Sequence, residues 1–176
     1  METQTQSSRK RRNPLEAART RALGEQHLTF TLGKDVFGMS ISHIREILQF
    51  ESLTEVPLTP AFVRGVLNVR GAVVPVIDLS VRFDRALTEV GKKTCVVILE
   101  VPAGDEEKVV IGVLVDQVNE VLEIDPEGIE PAPSFGSSVR ADFVRGVSRR
   151  EAGFILILDV AQVLSVAELA SLTGAR

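Results

Sequence analysis

Short runs of alternating hydrophobic and polar residues, separated by turn-forming residues, fill most of the chain after residue 26. A period of two is typical of strands that bury one face. Gly33-Lys34-Asp35 and Arg70-Gly71 separate neighbouring runs and predict hairpins, and Gly71 suits the positive φ of a tight turn. The pattern predicts strands over Leu28–Leu32, Val36–Ile41, Val66–Val69, Ala72–Ile77, Cys95–Val101, Val109–Val115, Gln117–Ile124, Val144–Val147 and Phe154–Leu158.

Two other segments have helical spacing, with apolar residues three and four positions apart. Ile41–Leu48 places its isoleucines on one face, and Asp159–Leu172 does the same with its valines and leucines. Asp159 can also serve as an N-cap. We therefore predict a short helix after the second strand and a helix at the C-terminus.

The pentapeptide Phe-Val-Arg-Gly-Val occurs twice, at Phe62–Val66 and at Phe143–Val147. The match continues without gaps into two further pairs of blocks, Val73–Asp78 with Phe154–Asp159 at the same offset of 81, and Phe37–Leu48 with Ile111–Leu122 at an offset of 74. The seven extra residues of the second copy fall within Ile124–Asp142, whose proline and glycine residues indicate a loop. Agreement over such blocks indicates a duplicated structural unit.

Each copy has about five short strands, too few for a sandwich but enough for a small closed barrel, which removes the edges of so small a sheet. Two barrels lying side by side would cover the predicted helices and bury apolar surface that neither barrel buries alone. The expected fold class is mainly β, with two five-stranded barrel subdomains packed side by side, short helices and a C-terminal helix.

The composition, 44% hydrophobic and 25% charged, is that of an ordinary globular protein. Residues 1–26 differ, because they hold six Lys or Arg residues, including the run Arg9–Arg12, and carry a net charge of +3, which leaves about −7 on the remainder. We expect a flexible basic tail over 1–26, a folded body over 27–172 and a short tail over 173–176. The acidic body argues against nucleic-acid binding. An SH3-like nucleic-acid binder that uses Arg9–Arg12 is kept as an alternative of another class.

The longest run of aliphatic residues and glycine, Val109–Val115, is far shorter than the roughly 20 residues that span a bilayer. The basic tail is not followed by the apolar segment and cleavage site of a secretory signal. We expect a cytoplasmic protein that does not insert into the membrane. The single Cys95 agrees with a reducing compartment.

Candidates for catalytic chemistry are few. His27 has no Cys or acidic neighbour at metal-ligand spacing, and His43 is expected on the surface of the predicted helix. Gly91–Thr94 resembles the end of a phosphate-binding loop, but Ala86 stands where the first glycine should be and a strand follows. The acidic run Asp105–Glu107 is expected at a solvated hairpin tip. We expect no enzymatic activity, no cofactor and no metal site.

Comparison of the two copies separates what the backbone needs from what is free to vary. A structural role is expected for the residues that both copies keep, which are Gly38 and Gly112, Gly65 and Gly146, Glu46 and Glu120, and Asp78 and Asp159. Arg70 is replaced by Glu151 at the matched hairpin, so the turn itself does not require a guanidinium. Arg70 is therefore a candidate anchor for a partner, and an intramolecular ion pair is the alternative.

Three blocks carry a family resemblance: FTLGKDVFGMSISHIREIL (Phe30–Leu48), TPAFVRGVLNVRGAVVPVIDL (Thr59–Leu79) and VVIGVLVDQVNEVLEI (Val109–Ile124). In this order they resemble the CheW-type chemotaxis coupling proteins, over about His27–Leu172. The resemblance implies two five-stranded SH3-like barrels with a hydrophobic interface and no catalytic activity. It also implies an adaptor that joins the cytoplasmic tips of methyl-accepting chemoreceptors to the regulatory domain of a chemotaxis histidine kinase, in arrays at the inner face of the membrane.

By the same resemblance, the family's receptor-binding groove between the lobes maps onto Ile44, Glu46, Gly65, Arg70, Cys95, Gly112, Val118 and Val121. The kinase-facing surfaces are expected on the outer ends of the barrels, without residue assignments. Two features depart from the usual pattern, namely Ser80, where the family often has Arg, and the long basic tail. A paralogous coupling protein of a surface-sensing or pilus-motility array is therefore an open alternative.

Overall fold

The computed structural model describes residues 24–103, 107–131, 141–151 and 153–165. Three 3-10 turns occur in these ranges, at Ile41–His43, Pro126–Gly128 and Ala141–Phe143. The helices and strands of the described ranges are β1 Glu25–Leu32, β2 Asp35–Ser40, β3 Ile44–Gln49, β4 Val63–Val69, β5 Ala72–Asp78, α1 Leu79–Arg82, β6 Cys95–Pro102, β7 Lys108–Val115, β8 Gln117–Ile124, β9 Ile129–Glu130, β10 Val144–Arg150, β11 Gly153–Leu158 and α2 Val160–Val163.

The strands form two sheets, which define two lobes. Lobe 1 has the strand order β8-β1-β2-β11-β10-β9, and lobe 2 has the order β3-β6-β7-β5-β4. Neighbouring strands are antiparallel, except that β2 and β11 in lobe 1, and β5 and β7 in lobe 2, run parallel. The predicted fold class is confirmed, although lobe 1 gains a sixth strand, the two-residue β9. No helix in the described ranges is long and apolar enough to cross a membrane.

The lobes do not coincide with the two sequence copies. The hairpin β1–β2, from the first half of the chain, lies between β8 and β11 in lobe 1, and the hairpin β6–β7 lies between β3 and β5 in lobe 2. The expectation that each copy closes its own barrel is therefore wrong in its connectivity. Because both copies present the same apolar pattern, either can complete either sheet. A short connection, Ile41–His43 after β2 or Asp116 after β7, leads the chain across to the other lobe.

The duplication is preserved in the strand register. Each lobe has a bulge beside the repeated glycine and a parallel pair that joins the matched strands. The matched features are the bulges at Val63/Gly65 and Val144/Gly146, and the parallel pairs Val76 with Gly112 and Ile157 with Gly38. The two copies thus share one backbone design.

A hydrophobic core lies between the lobes and draws residues from both sheets. Four buried phenylalanines run through it, and the centroids of successive rings are 5.8, 5.4 and 5.8 Å apart, in the order Phe30, Phe37, Phe83 and Phe143. The first two rings belong to lobe 1, whereas Phe83 follows α1 at the end of β5 in lobe 2. Burial of each such ring stabilises the fold by roughly 1.5–3 kcal/mol. The two lobes are therefore held together by a common core.

Arg82 is buried at this junction. Its guanidinium carbon lies 4.6 Å from the ring centroid of Phe143 and 5.9 Å from that of Phe62. Its Nε donates a hydrogen bond of 2.9 Å to the carbonyl oxygen of Val163 at the end of α2. Contacts with aromatic faces and a backbone acceptor offset the cost of burying the charge. Arg82 thereby links α1 of one copy to α2 of the other.

The helix predicted over Ile41–Leu48 is wrong. Ile41–His43 is a 3-10 turn, and Ile44–Gln49 is strand β3, which pairs with β6. In so short a segment the apolar positions fit both periods, and pairing with a neighbouring strand decides between them.

The C-terminal helix begins as predicted, with the Asp159 side chain accepting a hydrogen bond from the Gln162 amide. The predicted length is wrong, because the helix ends at Val163 with Leu164 as its C-cap, and Ser165 is not helical; residues 166–172 of the predicted helix lie outside the described residues. The same holds for most of the predicted basic tail and for the tip of the hairpin around Asp105–Glu107, whose strands β6 and β7 pair as expected.

Asp78, the last residue of β5, is a fully buried carboxylate whose hydrogen bonds are satisfied. It accepts from the Ser80 amide at 3.0 Å, from the Thr88 amide at 2.9 Å, from the Thr88 hydroxyl at 2.8 Å and from Arg64 Nη1 at 2.7 Å. Its counterpart Asp159 is only half-buried and caps α2. The matched aspartates of the two copies thus contribute very differently to the stability of the fold.

We expect Asp78→Ala to lower the free energy of unfolding by ~3–5 kcal/mol, because it leaves Arg64 and Thr88 without their buried partner. Asp159→Ala, its counterpart in the second copy, should cost only ~1 kcal/mol, the usual loss for an N-cap. Urea unfolding of both variants checks this difference. Equal losses would contradict the unequal roles.

His27 is completely buried in β1. Its Nδ1 lies 3.2 Å from the carbonyl oxygen of Glu25, whereas its Nε2 has no hydrogen-bond partner among the described residues. Burial lowers the pKa of His27 from its usual value, because a charged imidazole would lose its hydration. His27 is therefore a neutral core residue.

Because the pKa of His27 is lower in the folded chain, the unfolded chain binds a proton at a higher pH. The free energy of unfolding should therefore fall as the pH drops below about 6.5, the usual histidine value. We expect His27→Gln to lose less stability than wild type between about pH 7.5 and 5.5, measured by urea unfolding. His43→Gln removes the other histidine and serves as the control. An unchanged dependence in His27→Gln would show that other groups cause it.

Candidate partner-binding groove

Strands β3 and β8 are the outermost strands of their sheets and border the junction between the lobes. Cys95, at the start of β6, and Val118 and Val121, in β8, are half-buried and pack against the shared core. Burial raises the pKa of the Cys95 thiol, and a hydrogen bond with the Val118 backbone partly opposes this rise. Cys95 of lobe 2 and Val118 and Val121 of lobe 1 therefore pack on the same core, and we call these three residues the apolar seam.

Glu46 and Arg70 form a bidentate ion pair on lobe 2. Arg70 Nη2 lies 3.0 Å from Glu46 Oε1, and Arg70 Nη1 donates to Glu46 Oε2. The hydrogen bond from Arg70 lowers the pKa of Glu46, so the carboxylate is charged at neutral pH. Of the two alternatives left open by the sequence, the intramolecular ion pair is present. Even so, 76% of the Arg70 side chain is exposed, so the guanidinium can still meet a partner.

The ion pair and the apolar seam lie on opposite faces of lobe 2. In the sheet Glu46 pairs with Ile98, which belongs to the inner core of lobe 2, whereas Cys95 packs on the core between the lobes. β3 is an edge strand, so a partner seated along it can reach both faces. We call β3, the Glu46–Arg70 pair and the seam residues Cys95, Val118 and Val121 the β3 groove.

Three of the residues that the resemblance assigned to receptor binding are buried, and the structure gives each a packing role. Ile44 is 2% exposed and belongs to the shared core. Gly112 packs inside lobe 2, where an added Cβ would lie 2.9 Å from Val96 Cγ1. Gly65 has φ +152°, and an added Cβ would lie 2.5 Å from the Thr54 carbonyl oxygen. These residues can shape the groove, whereas Glu46, Arg70, Cys95, Val118 and Val121 are the ones with exposed surface.

Two features of the surface escaped the sequence analysis. Val73 and Phe154, at matched positions in β5 and β11, are 67% and 53% exposed. The repeat alignment matches these two residues, because both follow a hairpin turn, but an alignment does not show which face of a strand is exposed to solvent.

The Gly91–Thr94 segment, which resembled part of a phosphate-binding loop, forms a turn in which the Gly91 amide donates to the Thr94 hydroxyl at 2.7 Å. In the described ranges no group of three or more His, Cys, Asp or Glu side chains could hold a metal ion.

Together, two small β lobes, a shared core and an outer strand beside the lobe junction define a two-lobed interaction module. The sequence model of the CheW-like domain family matches residues 26–168, and the chain belongs to this family. It is 33% identical over 148 residues to the chemotaxis protein CheW of Klebsiella aerogenes, covering 84% of this chain and 86% of that protein. It is also 29% identical over 123 residues to Protein FrzA of Myxococcus xanthus, covering 70% and 73%.

Among solved structures, the scaffolding protein TtCheW from Thermoanaerobacter tengcongensis is similar, with a TM-score of 0.70 and 30% identity over 82% of this chain and 90% of that one. The family consists of scaffold and adaptor proteins of chemotaxis signalling. The predicted family and its adaptor function are confirmed. The chain is a coupling adaptor.

We expect Gly65→Ala to lower the free energy of unfolding by at least ~3 kcal/mol, because the added methyl group collides with backbone. Gly71→Ala is the matched control. Gly71 also has positive φ, 86°, but no atom lies within 4 Å of the added Cβ, so only ~1–2 kcal/mol of backbone strain should appear. Thermal and urea unfolding check the contrast. Equal stability of the two variants would contradict a packing role for Gly65.

Proposed function

We propose that this adaptor joins the cytoplasmic tips of methyl-accepting chemoreceptors to the regulatory domain of a chemotaxis histidine kinase, in arrays at the inner face of the membrane. Membership of the CheW-like family supports a place among chemotaxis signalling components. The β3 groove is the proposed receptor site, and the outer ends of the lobes are the proposed kinase contacts.

The observation that carries the proposal is that an exposed arginine, paired with Glu46 of the edge strand β3, and an apolar seam on the other face both border that strand. In most protein interfaces a few residues supply most of the binding energy, and buried apolar anchors and arginine are prominent among them. Arg70 is the exposed member of the Glu46–Arg70 pair, with 76% of its side chain accessible against 24% for Glu46, so a partner can reach the guanidinium at small cost. The groove can therefore bind without any change in the fold.

The shared core adds a second argument. Because the hairpins are exchanged, the lobes have a fixed relation, and faces on the two lobes are presented at a constant distance. An adaptor with this property holds two partners at a high effective concentration, so modest contacts can sum across an array. Such a role requires no catalytic step.

The array that the protein serves depends on which receptor and kinase it meets. The similarity to Protein FrzA shows that chains with other names also resemble this one. A paralogous coupling role in surface sensing or pilus motility is therefore tested by the same experiment, performed with the corresponding receptor and kinase.

We expect Arg70→Ala to weaken binding of a purified receptor tip by ~10- to 100-fold, because the β3 groove loses its charged anchor. Titration calorimetry measures the binding, and kinase stimulation in a reconstituted mixture of receptor tip, kinase and adaptor should fall in parallel. The melting temperature should change little.

Arg149→Ala is the matched control, since Arg149 is also exposed and paired, with Glu130 Oε1 at 2.8 Å, but lies on lobe 1. It should leave affinity for the receptor tip unchanged. Equal affinity of wild type and Arg70→Ala, or equal weakening in both variants, would reject the assigned groove.

A further inference from the structure

A second groove lies on lobe 1, lined by residues of β8 that alternate with the seam residues Val118 and Val121, and has a volume of about 610 Å³. Val36, Leu122 and Ile155 line its apolar part, and Phe154, which is 53% exposed, stands beside them. Glu120 and Glu151 line the same groove. The guanidinium carbon of Arg149 lies 5.7 Å from the centroid of the Phe154 ring, so this ring already accommodates an arginine of the same chain. The ring and the two carboxylates offer apolar contact and negative charge together, and we call this surface the acidic groove.

The equivalent site in lobe 2 shows which chemical group can bind between the two carboxylates of the acidic groove. By the repeat alignment, Glu120 corresponds to Glu46 and Glu151 corresponds to Arg70. In lobe 2 the carboxylate is held by the guanidinium of the same chain, whereas in lobe 1 both positions are acidic. Arg150 also lines the acidic groove, but its Nη2 is directed to the carbonyl oxygen of Glu123, at 3.4 Å.

Among the described residues, neither Glu120 nor Glu151 forms an ion pair. A guanidinium supplied from elsewhere would neutralise both carboxylates and could form the bidentate contact seen in lobe 2. The acidic groove is therefore complementary to an arginine-rich segment.

The chain itself contains such a segment in the residues that precede the described part. Residues 1–23, which precede the described part, hold six Lys or Arg residues against two Glu residues, and four of the basic residues are the run Arg9–Arg12. Pairing of Glu25 with Ile124 places the start of β1 beside the end of β8. Glu120 lies four residues back along β8, about 14 Å away at the usual rise of a strand. Gly24 is twelve residues after Arg12, and the chain between them can span up to ~40 Å.

From this complementarity we propose that the basic segment Arg9–Arg12 docks in the acidic groove, with an arginine between Glu120 and Glu151 and apolar parts of the segment against Phe154. The docked segment covers the apolar residues of the acidic groove and changes the net charge of this surface from negative to positive. Any partner that needs this face must displace the segment, so the tail acts as a built-in competitor. Because the attraction is between charges near the surface, it weakens as salt is added.

The test uses the full-length chain labelled with ¹⁵N, whose amide chemical shifts report each surface separately. In a tail variant, Arg9, Lys10, Arg11 and Arg12 are all changed to Gln. Relative to wild type at low salt, we expect shifts confined to Asn119, Glu120, Leu122 and Gly153–Ile155, and the same shifts in wild type at about 0.5 M NaCl. This variant leaves the folded body unaltered, so its result does not depend on the stability of the lobe.

The reciprocal variant is Glu151→Arg, which reproduces in lobe 1 the arrangement of lobe 2. It should release the tail, which is seen as shifts of the amides of Arg9–Arg12. Glu55→Arg makes the same charge change at an exposed position outside the acidic groove and should leave the tail amides in place.

Three results would overturn the proposal. The first is an unchanged body spectrum in the tail variant. The second is a set of shifts located at Glu46, Arg70 and Cys95 on lobe 2 instead of the acidic groove. The third is a set of shifts that grows with protein concentration, which would make a second copy of the chain the occupant. Each result is independent of receptor and kinase binding.

Discussion

The exchange of hairpins between the lobes is the constraint on which the remaining structure depends. Each hairpin lies between strands of the other copy, β1–β2 between β8 and β11, and β6–β7 between β3 and β5. Neither sheet is complete until both halves of the chain are in place, and the phenylalanine core forms across that same boundary. The exchange also leaves β3 and β8 as outer strands beside the junction, so the edge offered to partners follows from the same topology.

On this common backbone the two copies have diverged in charge. Asp78 is the buried centre of a hydrogen-bond cluster, whereas Asp159 only caps a helix. Arg82 spans the junction, and Val163, at the matched position, supplies the backbone carbonyl that it contacts. Arg70 closes an ion pair where Glu151 leaves an acidic groove. The duplication therefore produced two copies of one backbone, and the side chains that differ between them mark the positions where the two copies have different roles.

Local features of the sequence predicted most strands, both hairpin turns, the duplication, the Asp159 cap and the family. Periodicity records which residues share a face, but it does not record which strand lies next to which, so the exchange was missed. The same limit explains β3, whose helical spacing was overruled by pairing with β6. For the groove, residue types identified Arg70 as a candidate anchor but could not place Glu46 beside it. Nor could they show that Ile44, Gly65 and Gly112 are buried, because such contacts join residues far apart in the chain.

The exchange of hairpins between the lobes bears on how the duplicated chain evolved. A chain with a single repeat could satisfy this geometry only by lending its hairpin to another molecule and borrowing one in return, as in a domain-swapped homodimer. Joining two such repeats end to end replaces bimolecular association with the smaller entropic cost of closing a loop. It also frees the twofold-related surfaces from being identical, which a symmetric dimer could never allow.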